Sequence, residues 1–360
     1  MQKEKVGISV KQWMKESVVF GTILSFLSLG LWFFYPQPLT VTGNFPTWAE
    51  FDVPLKAMQK AGQADIDTYQ QENHVDWIEA LSCLAVRYGG NWEQYQGKDL
   101  DRVIQSLKDG EKPEDLISGN TKGYDYYQTV YNAVLGGFIG EYQIEEAEED
   151  GASSIVTNYG VKVFSPIAGG YGYSHYDDFG AGRSYGFARN HLGNDLLGSV
   201  GTPIMAVETG TIEAMGWNEY GGWRIGIRSM DKKRYYYYAH LQSGHPYVFT
   251  LSEGDTVQAG DVIGYLGMTG YSTTEDTNGM KKPHLHFGMQ LVFDESQKES
   301  DQEIWIDVYE IVKFLSKHRS YAQKDEKTGD YKRSAAFFDL SVESGVEIWY
   351  TNHNKKIPSE

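Results

Sequence analysis

Five side chains in three short segments carry the residue types that could do chemistry. In Pro283-His284-Leu285-His286-Phe287, two of the nine histidines stand one residue apart. On a strand, positions i and i+2 point to one face, so both imidazoles face the same way while Leu285 turns toward a core. In Arg189-Asn190-His191-Leu192-Gly193-Asn194-Asp195, His191 and Asp195 are four apart. That even separation gives them one face of an extended segment; a helix would do the same, but Gly193-Asn194 argues against one. In the run Tyr235-Tyr236-Tyr237-Tyr238-Ala239-His240-Leu241, His240 has the parity of Tyr236 and Tyr238 and is expected on their face.

Imidazole and carboxylate presented from several strands to one side of a sheet make a metal site. Two histidines and an aspartate with an open position form a zinc set of the catalytic kind. Zinc lowers the pKa of a bound water to near 7, which makes it a nucleophile toward an amide at neutral pH. The remaining histidines would then serve proton transfer or oxyanion stabilisation. Parity alone leaves open which member of the His284/His286 pair binds the metal.

The segments together resemble the lysostaphin-type (LytM-like) zinc metallo-endopeptidases that cut bacterial peptidoglycan. That family's His-x-Gly-x-Asp is matched by His191 to Asp195 and its Tyr-x-His-Leu by Tyr238 to Leu241. A glycine ladder ending in Thr-Gly is matched from Gly254 to Gly270, and His-Leu-His-Phe by His284 to Phe287. The resemblance covers residues from about 160 to 295. It implies that His191, Asp195 and His286 hold Zn2+ and that His240 and His284 act on the bound water and the developing oxyanion. The substrate it implies is a peptide stem or cross-bridge of peptidoglycan. Two departures stand out. The link Tyr271–Pro283 is longer and more charged than the family's short one, and Gly288 stands where an acid is often found. Ahead of His191, the Gly/Tyr-rich segment bearing His175, Asp177 and Asp178 reads as a mobile loop, with a substrate wall or an inhibitory flap as the alternatives.

Those segments need a scaffold. From residue 159 to 298, runs rich in Val, Ile and aromatics alternate with Gly turns, which predicts an antiparallel β-sheet peptidase domain. Residues 303–319 read as a C-terminal helix, followed by a polar extension over 320–360. Upstream, residues 50–142 show helical periodicity, as in Trp77, Leu81, Leu84 and Ala85 before the Gly89-Gly90 stop, and predict a small all-helical domain. The acidic stretch within 143–158 reads as a linker. The fold class is α+β.

At the N-terminus, residues 18–35 contain no charge over 18 positions and end in Trp32, Phe33, Phe34 and Tyr35. At about 1.5 Å per residue they reach ~27 Å, which predicts a transmembrane signal anchor with residues 1–17 as a cytoplasmic tail. Four lysines before it place the rest of the chain outside a cell membrane as a single-pass protein. The 49 acids against 32 bases give −17 overall, which excludes the basic footprint of a nucleic-acid binder. The single cysteine, Cys83, allows no internal disulfide and no thiolate zinc site. The expected protein is a membrane-anchored zinc endopeptidase of peptidoglycan. Its alternative is a catalytically silent relative serving as an envelope scaffold or hydrolase activator.

Overall fold

A computed structural model describes residues 46, 48–148, 151–184 and 188–342. The chain divides into residues 1–48 and a compact unit from residue 49 onward, and the second unit holds every element below. Its helices are α1 (Leu55–Thr68), α2 (Trp77–Tyr88), α3 (Gly97–Lys108), α4 (Pro113–Leu116) and α5 (Thr121–Leu135). Asp76 caps α2 through bonds from the Ile78 and Glu79 amides, and Gly89 ends it in the left-handed conformation.

The segment expected as a linker is instead a β-hairpin. Strands β1 (Ile139–Ala147) and β2 (Ser153–Val161) pair over nine residues, and β16 (Phe337–Asp339) joins the free edge of β1. Of the acidic residues that suggested a linker, Glu146 is exposed and Glu145 half-buried on β1, positions where charge is compatible with a ladder of backbone bonds. Residues 50–142 accordingly do not form a separate all-helical domain; their last residues begin this sheet.

The site is carried by a seven-stranded antiparallel sheet. Its main order is β10 (Thr256–Val257), β7 (Gly210–Asn218), β8 (Gly222–Ser229), β9 (Arg234–Ala239), β12 (His284–Leu291) and β13 (Ile304–Ile306), with β5 (Asn194–Leu197) also paired to β12. Ile225, Ile227, Tyr236, Tyr238, Leu285, Phe287 and Met289 are fully buried on one face. Short strands β3 (Gly182–Ser184) and β4 (Ala188–Asn190) form a ribbon, and β6 (Pro203–Met205) pairs with β11 (Val262–Tyr265). The helix expected over 303–319 is shorter. Ile304 and Ile306 are buried and pair with β12, Asp307 accepts the Tyr309 amide at 2.8 Å, and only Tyr309–Leu315 is helical (α6). The extension begins with the hairpin β14 (Ala322–Lys324) and β15 (Tyr331–Arg333).

Buried polar contacts tie helices to sheet. Arg234, fully buried on β9, donates to Glu208 at 2.8 and 3.0 Å, to Asp231 at 2.9 Å and to the Ala133 carbonyl near the end of α5 at 2.8 Å. The Tyr236 hydroxyl donates to the same Glu208 at 2.6 Å. Glu310 of α6 accepts the first amide of α1, from Leu55, at 2.7 Å.

Among the described residues no helix is long and apolar enough to cross a membrane. The stretch 18–35 and the tail 1–17 lie outside the described residues. The expected fold is corrected to a mixed helix and strand architecture with antiparallel sheets. The single-pass membrane localisation and the membrane partner, which rested on that helix, are withdrawn with it.

Candidate metal centre and active-site cleft

Strand register brings the ligand candidates together. On β12, His286 lies opposite Asp195 of β5, and His284 lies opposite Leu197. Leu285 and Phe287 point into the core, so both histidines project to the other face. His191, just ahead of β5, then folds over the pair. The His191 Nε2 is 2.9 Å from Asp195 Oδ1 and 3.0 Å from His286 Nδ1, which is itself 3.0 Å from Asp195 Oδ1. These are the His/Asp atoms that could share one metal ion.

Gly193 permits this convergence. A Cβ there would sit 2.7 Å from the His286 ring atoms Cε1 and Nε2 and 2.7 Å from the Phe287 carbonyl. Gly288 is explained in the same way: a Cβ would lie 2.9 Å from the Leu192 carbonyl and 2.9 Å from the Trp305 ring. An acid at that position has no room here. The carboxylate behind a candidate ligand comes instead from Asp178, whose backbone carbonyl accepts from His191 Nδ1 at 3.3 Å with its Oδ1 3.1 Å from the same nitrogen. Arg183 bonds Asp178 at 2.5 Å and lies 3.5 Å from Asp195.

The segment ahead of His191 is pinned. His175 Nδ1 meets Asn194 Oδ1 at 2.6 Å, Asn194 donates to the Tyr176 carbonyl at 2.7 Å, and Gly180 and Ala181 exchange backbone bonds with His191. Its Asp178 backs His191 from outside and does not reach across the cleft.

His240 arrives by a route that strand parity misses. Tyr236 and Tyr238 are buried in the core, so continued alternation would bury His240 among them. Strand β9 ends at Ala239, and His240 takes φ 62°, a left-handed conformation rare outside glycine. That turn swings the imidazole onto the cleft face, with its ring centroid 4.8 Å from that of His284. Thr269 secures the turn. Its carbonyl accepts from His240 Nδ1 at 2.8 Å, and its hydroxyl donates to the Leu241 carbonyl at 2.6 Å. His284 Nδ1 likewise donates to the Lys282 carbonyl at 2.8 Å, and its buried Nε2 has no hydrogen-bond partner. A carbonyl only accepts, so Nδ1 carries the proton in both rings and Nε2 is left uncommitted to the backbone.

The electrostatics suit cation binding. Burial pushes the Asp195 carboxyl up, but hydrogen bonds from His191 and His286 outweigh it and hold the group far below the usual carboxylate range. Burial draws His191 down, yet its bond to Asp195 and the nearby carboxylates leave it raised. Burial holds His240 well below the ordinary imidazole value, aided by repulsion from His284 and His286, and also lowers His286. An anionic Asp195 beside a neutral His286 is the protonation state a divalent metal requires, whereas His191 would have to release a proton on binding one.

The group opens into a cleft of about 560 Å³ also walled by Arg189, Tyr237 and Tyr271. Arg189 and Tyr271 were missed from sequence. Arg189 lies two residues ahead of His191 and Tyr271 just past the glycine ladder, neither at a position of those patterns, and only the ribbon and the long link before His284 bring them to the rim.

Residues 189–300 match Peptidase family M23. The L-Ala--D-Glu endopeptidase of Bacillus subtilis is 39% identical over 117 residues, covering 32% of this chain and 34% of the relative. Lysostaphin of Staphylococcus simulans is 38% identical over 119 residues, covering 33% and 20%. The chain thus spans about a third or less of the length of these curated relatives. A lytM chain from Ruminococcus gnavus shares the fold across 79% of this chain and 94% of its own, at 24% identity and a TM-score of 0.50. The matched stretch begins two residues before His191 and runs past His286, so the clustered His and Asp side chains all lie in a domain of Peptidase family M23.

Proposed function

We propose that the protein is a zinc-dependent endopeptidase that hydrolyses peptide bonds of peptidoglycan. The observation that carries this reading is the convergence of His191 Nε2, Asp195 Oδ1 and His286 Nδ1 beside two histidines whose Nε2 atoms are uncommitted. The substrate class rests on the family and on relatives named as an L-Ala--D-Glu endopeptidase and a peptidoglycan DD-endopeptidase.

In this reading His191, Asp195 and His286 hold zinc. The donor set fits it: two nitrogens and one carboxylate oxygen, gathered by β5 and β12, with the cleft on the open side. When bound, the ion would polarise the scissile carbonyl and make a water nucleophilic at neutral pH. His240 and His284 handle the protons. Each gives its Nδ1–H to a backbone carbonyl, so each can take a proton at Nε2 and return it to the departing amine. The depressed basicity of His240 keeps it unprotonated at neutral pH, ready to accept. Asp178 fixes the ring of His191 from behind.

The test is digestion of purified peptidoglycan by the zinc-loaded protein, with mass spectrometry of the released muropeptides to identify the bond cut. One zinc per chain with Zn-dependent release is expected. Stoichiometric zinc without release of any muropeptide would overturn the enzymatic reading in favour of a silent envelope scaffold.

A further inference from the structure

A second cleft of about 440 Å³ continues from the first along the same sheet face and shares Arg189, Tyr237 and His286 with it. Its floor is β7, β8 and β9. Tyr238 lies opposite Ile225, and both are core residues, so their neighbours Arg224 and Tyr237 project into the cleft. With β9 between β8 and β12, Arg224 stands two strand spacings from His286, roughly 10 Å across the sheet. An extended peptide of about three residues spans that gap.

Three of the cleft's other charges are paired or hydrogen-bonded, and the fourth, Glu299, is exposed to solvent at its rim. Glu213 pairs with Arg228 and with Lys298, and Glu303 accepts from the Trp305 ring nitrogen at 2.8 Å. Arg224 differs. Among the described residues no carboxylate lies in ion-pair range of its guanidinium, and its Nε is buried without a hydrogen-bond partner. Arg189, on the ridge between the clefts, also has a buried Nε without a partner, while its other end donates to the Tyr271 hydroxyl. In a chain of net charge −17, a half-buried arginine without a carboxylate partner is free to take an anion from outside.

We infer that this cleft binds the substrate peptide through a carboxylate carried within about three residues of the scissile bond, paired to Arg224 in a fork-like ion pair, with Arg189 adding positive potential. The inference deepens the peptidase reading by naming the chemistry of one side of the substrate, an acidic residue with a free carboxylate.

The probes are two soluble stem peptides that differ only in a free glutamyl carboxylate or its carboxamide. Calorimetry on the metal-free full chain gives binding without turnover, and the zinc-loaded chain gives KM and kcat. The free acid is expected to bind at least about tenfold more tightly than the carboxamide, as a charged hydrogen bond gives. Arg224→Ala should erase that preference and raise KM for the acid alone with kcat unchanged, and Arg224→Lys should restore part of it. Equal binding of the two peptides by the wild type, or equal losses for both in Arg224→Ala, would overturn the inference. If the wild type leaves peptidoglycan uncut yet keeps an Arg224-dependent preference, the enzymatic reading falls and this site stands.

Discussion

Gly193→Ala tests the geometry of the proposed metal centre with one methyl group. Gly193 does not need the left-handed region, so alanine brings no conformational strain and the whole cost is steric. The added Cβ would lie 2.7 Å from the His286 ring and from the Phe287 carbonyl, where ordinary contact begins at 3.4 Å. Something must therefore move by 3.4 − 2.7 = 0.7 Å. The Phe287 carbonyl sits in the ladder between β5 and β12, so relief needs both a turn of the His286 ring and a local shift of that backbone, and each displaces His286. Metal–ligand distances tolerate about 0.2 Å, and a displacement near 1 Å at a reacting centre costs about 10²-fold. Zinc affinity is expected to fall about 10- to 100-fold, the loss typical of a disturbed ligand. Turnover per zinc-loaded chain should fall by about two orders of magnitude. Competition with a chromogenic chelator measures the first, and muropeptide release the second. Overpacking costs about 1–3 kcal/mol, so the melting temperature of the metal-free variant should drop by only several degrees. A well-folded Gly193→Ala protein with wild-type zinc affinity and turnover would refute the steric argument.

Three further outcomes follow from the same contacts. His286→Ala should lose zinc, whereas His284→Ala should keep it and lose turnover; retained activity in the second would remove His284 from the mechanism. Asp178→Asn should weaken zinc binding about 10- to 100-fold while leaving the unfolding midpoint of the metal-free protein near wild type, since it alters the charge behind His191 and no core contact. Arg234→Met strands the buried Glu208 and should cost about 3–5 kcal/mol in urea unfolding, with Glu208→Met restoring part of it in the double variant. The same variant carries a pH signature. Burial raises the Asp231 carboxyl, but the Arg234 charge and bonds from Ser229 and Lys233 win and hold it low. Its contribution is thus present at neutral pH and lost as pH falls through that lowered value, and Arg234→Met should shrink this acid-side loss.

The strands bearing the proposed ligands were legible because their side chains follow a period of two. His284, His286 and Asp195 lie where alternation puts them, since β5 and β12 are regular where they pair. His240 was not legible in that way, because a left-handed turn follows Ala239 and no alternation survives it. The family's Tyr-x-His-Leu pattern named the residue, but for a reason that parity does not contain. The hairpin β1–β2 was hidden by its own charges: Glu145 and Glu146 look like a solvated linker, and only pairing with Ser154 and Ile155 reveals a ladder. Helix α6 was overextended because Ile304 and Ile306 fit a helical stripe as well as a strand, and pairing with β12 decided the matter. The carboxylate behind His191 lies 13 residues upstream in a loop without periodicity, so only tertiary folding could supply it.

The three-stranded sheet has a practical meaning for anyone hoping to transplant the M23 stretch. Its strands come from residues 139–161 and 337–339, which bracket the M23 stretch on both sides. The edge of β12 opposite His286's neighbour Met289 is closed by β13, which lies beyond residue 300. A cassette cut at residues 189 and 300 would carry every proposed ligand and still leave a raw edge on the strand that holds two of the five histidine and aspartate side chains. Chimeras joined outside residues 139 and 339 would keep both β13 and the three-stranded sheet with the cassette.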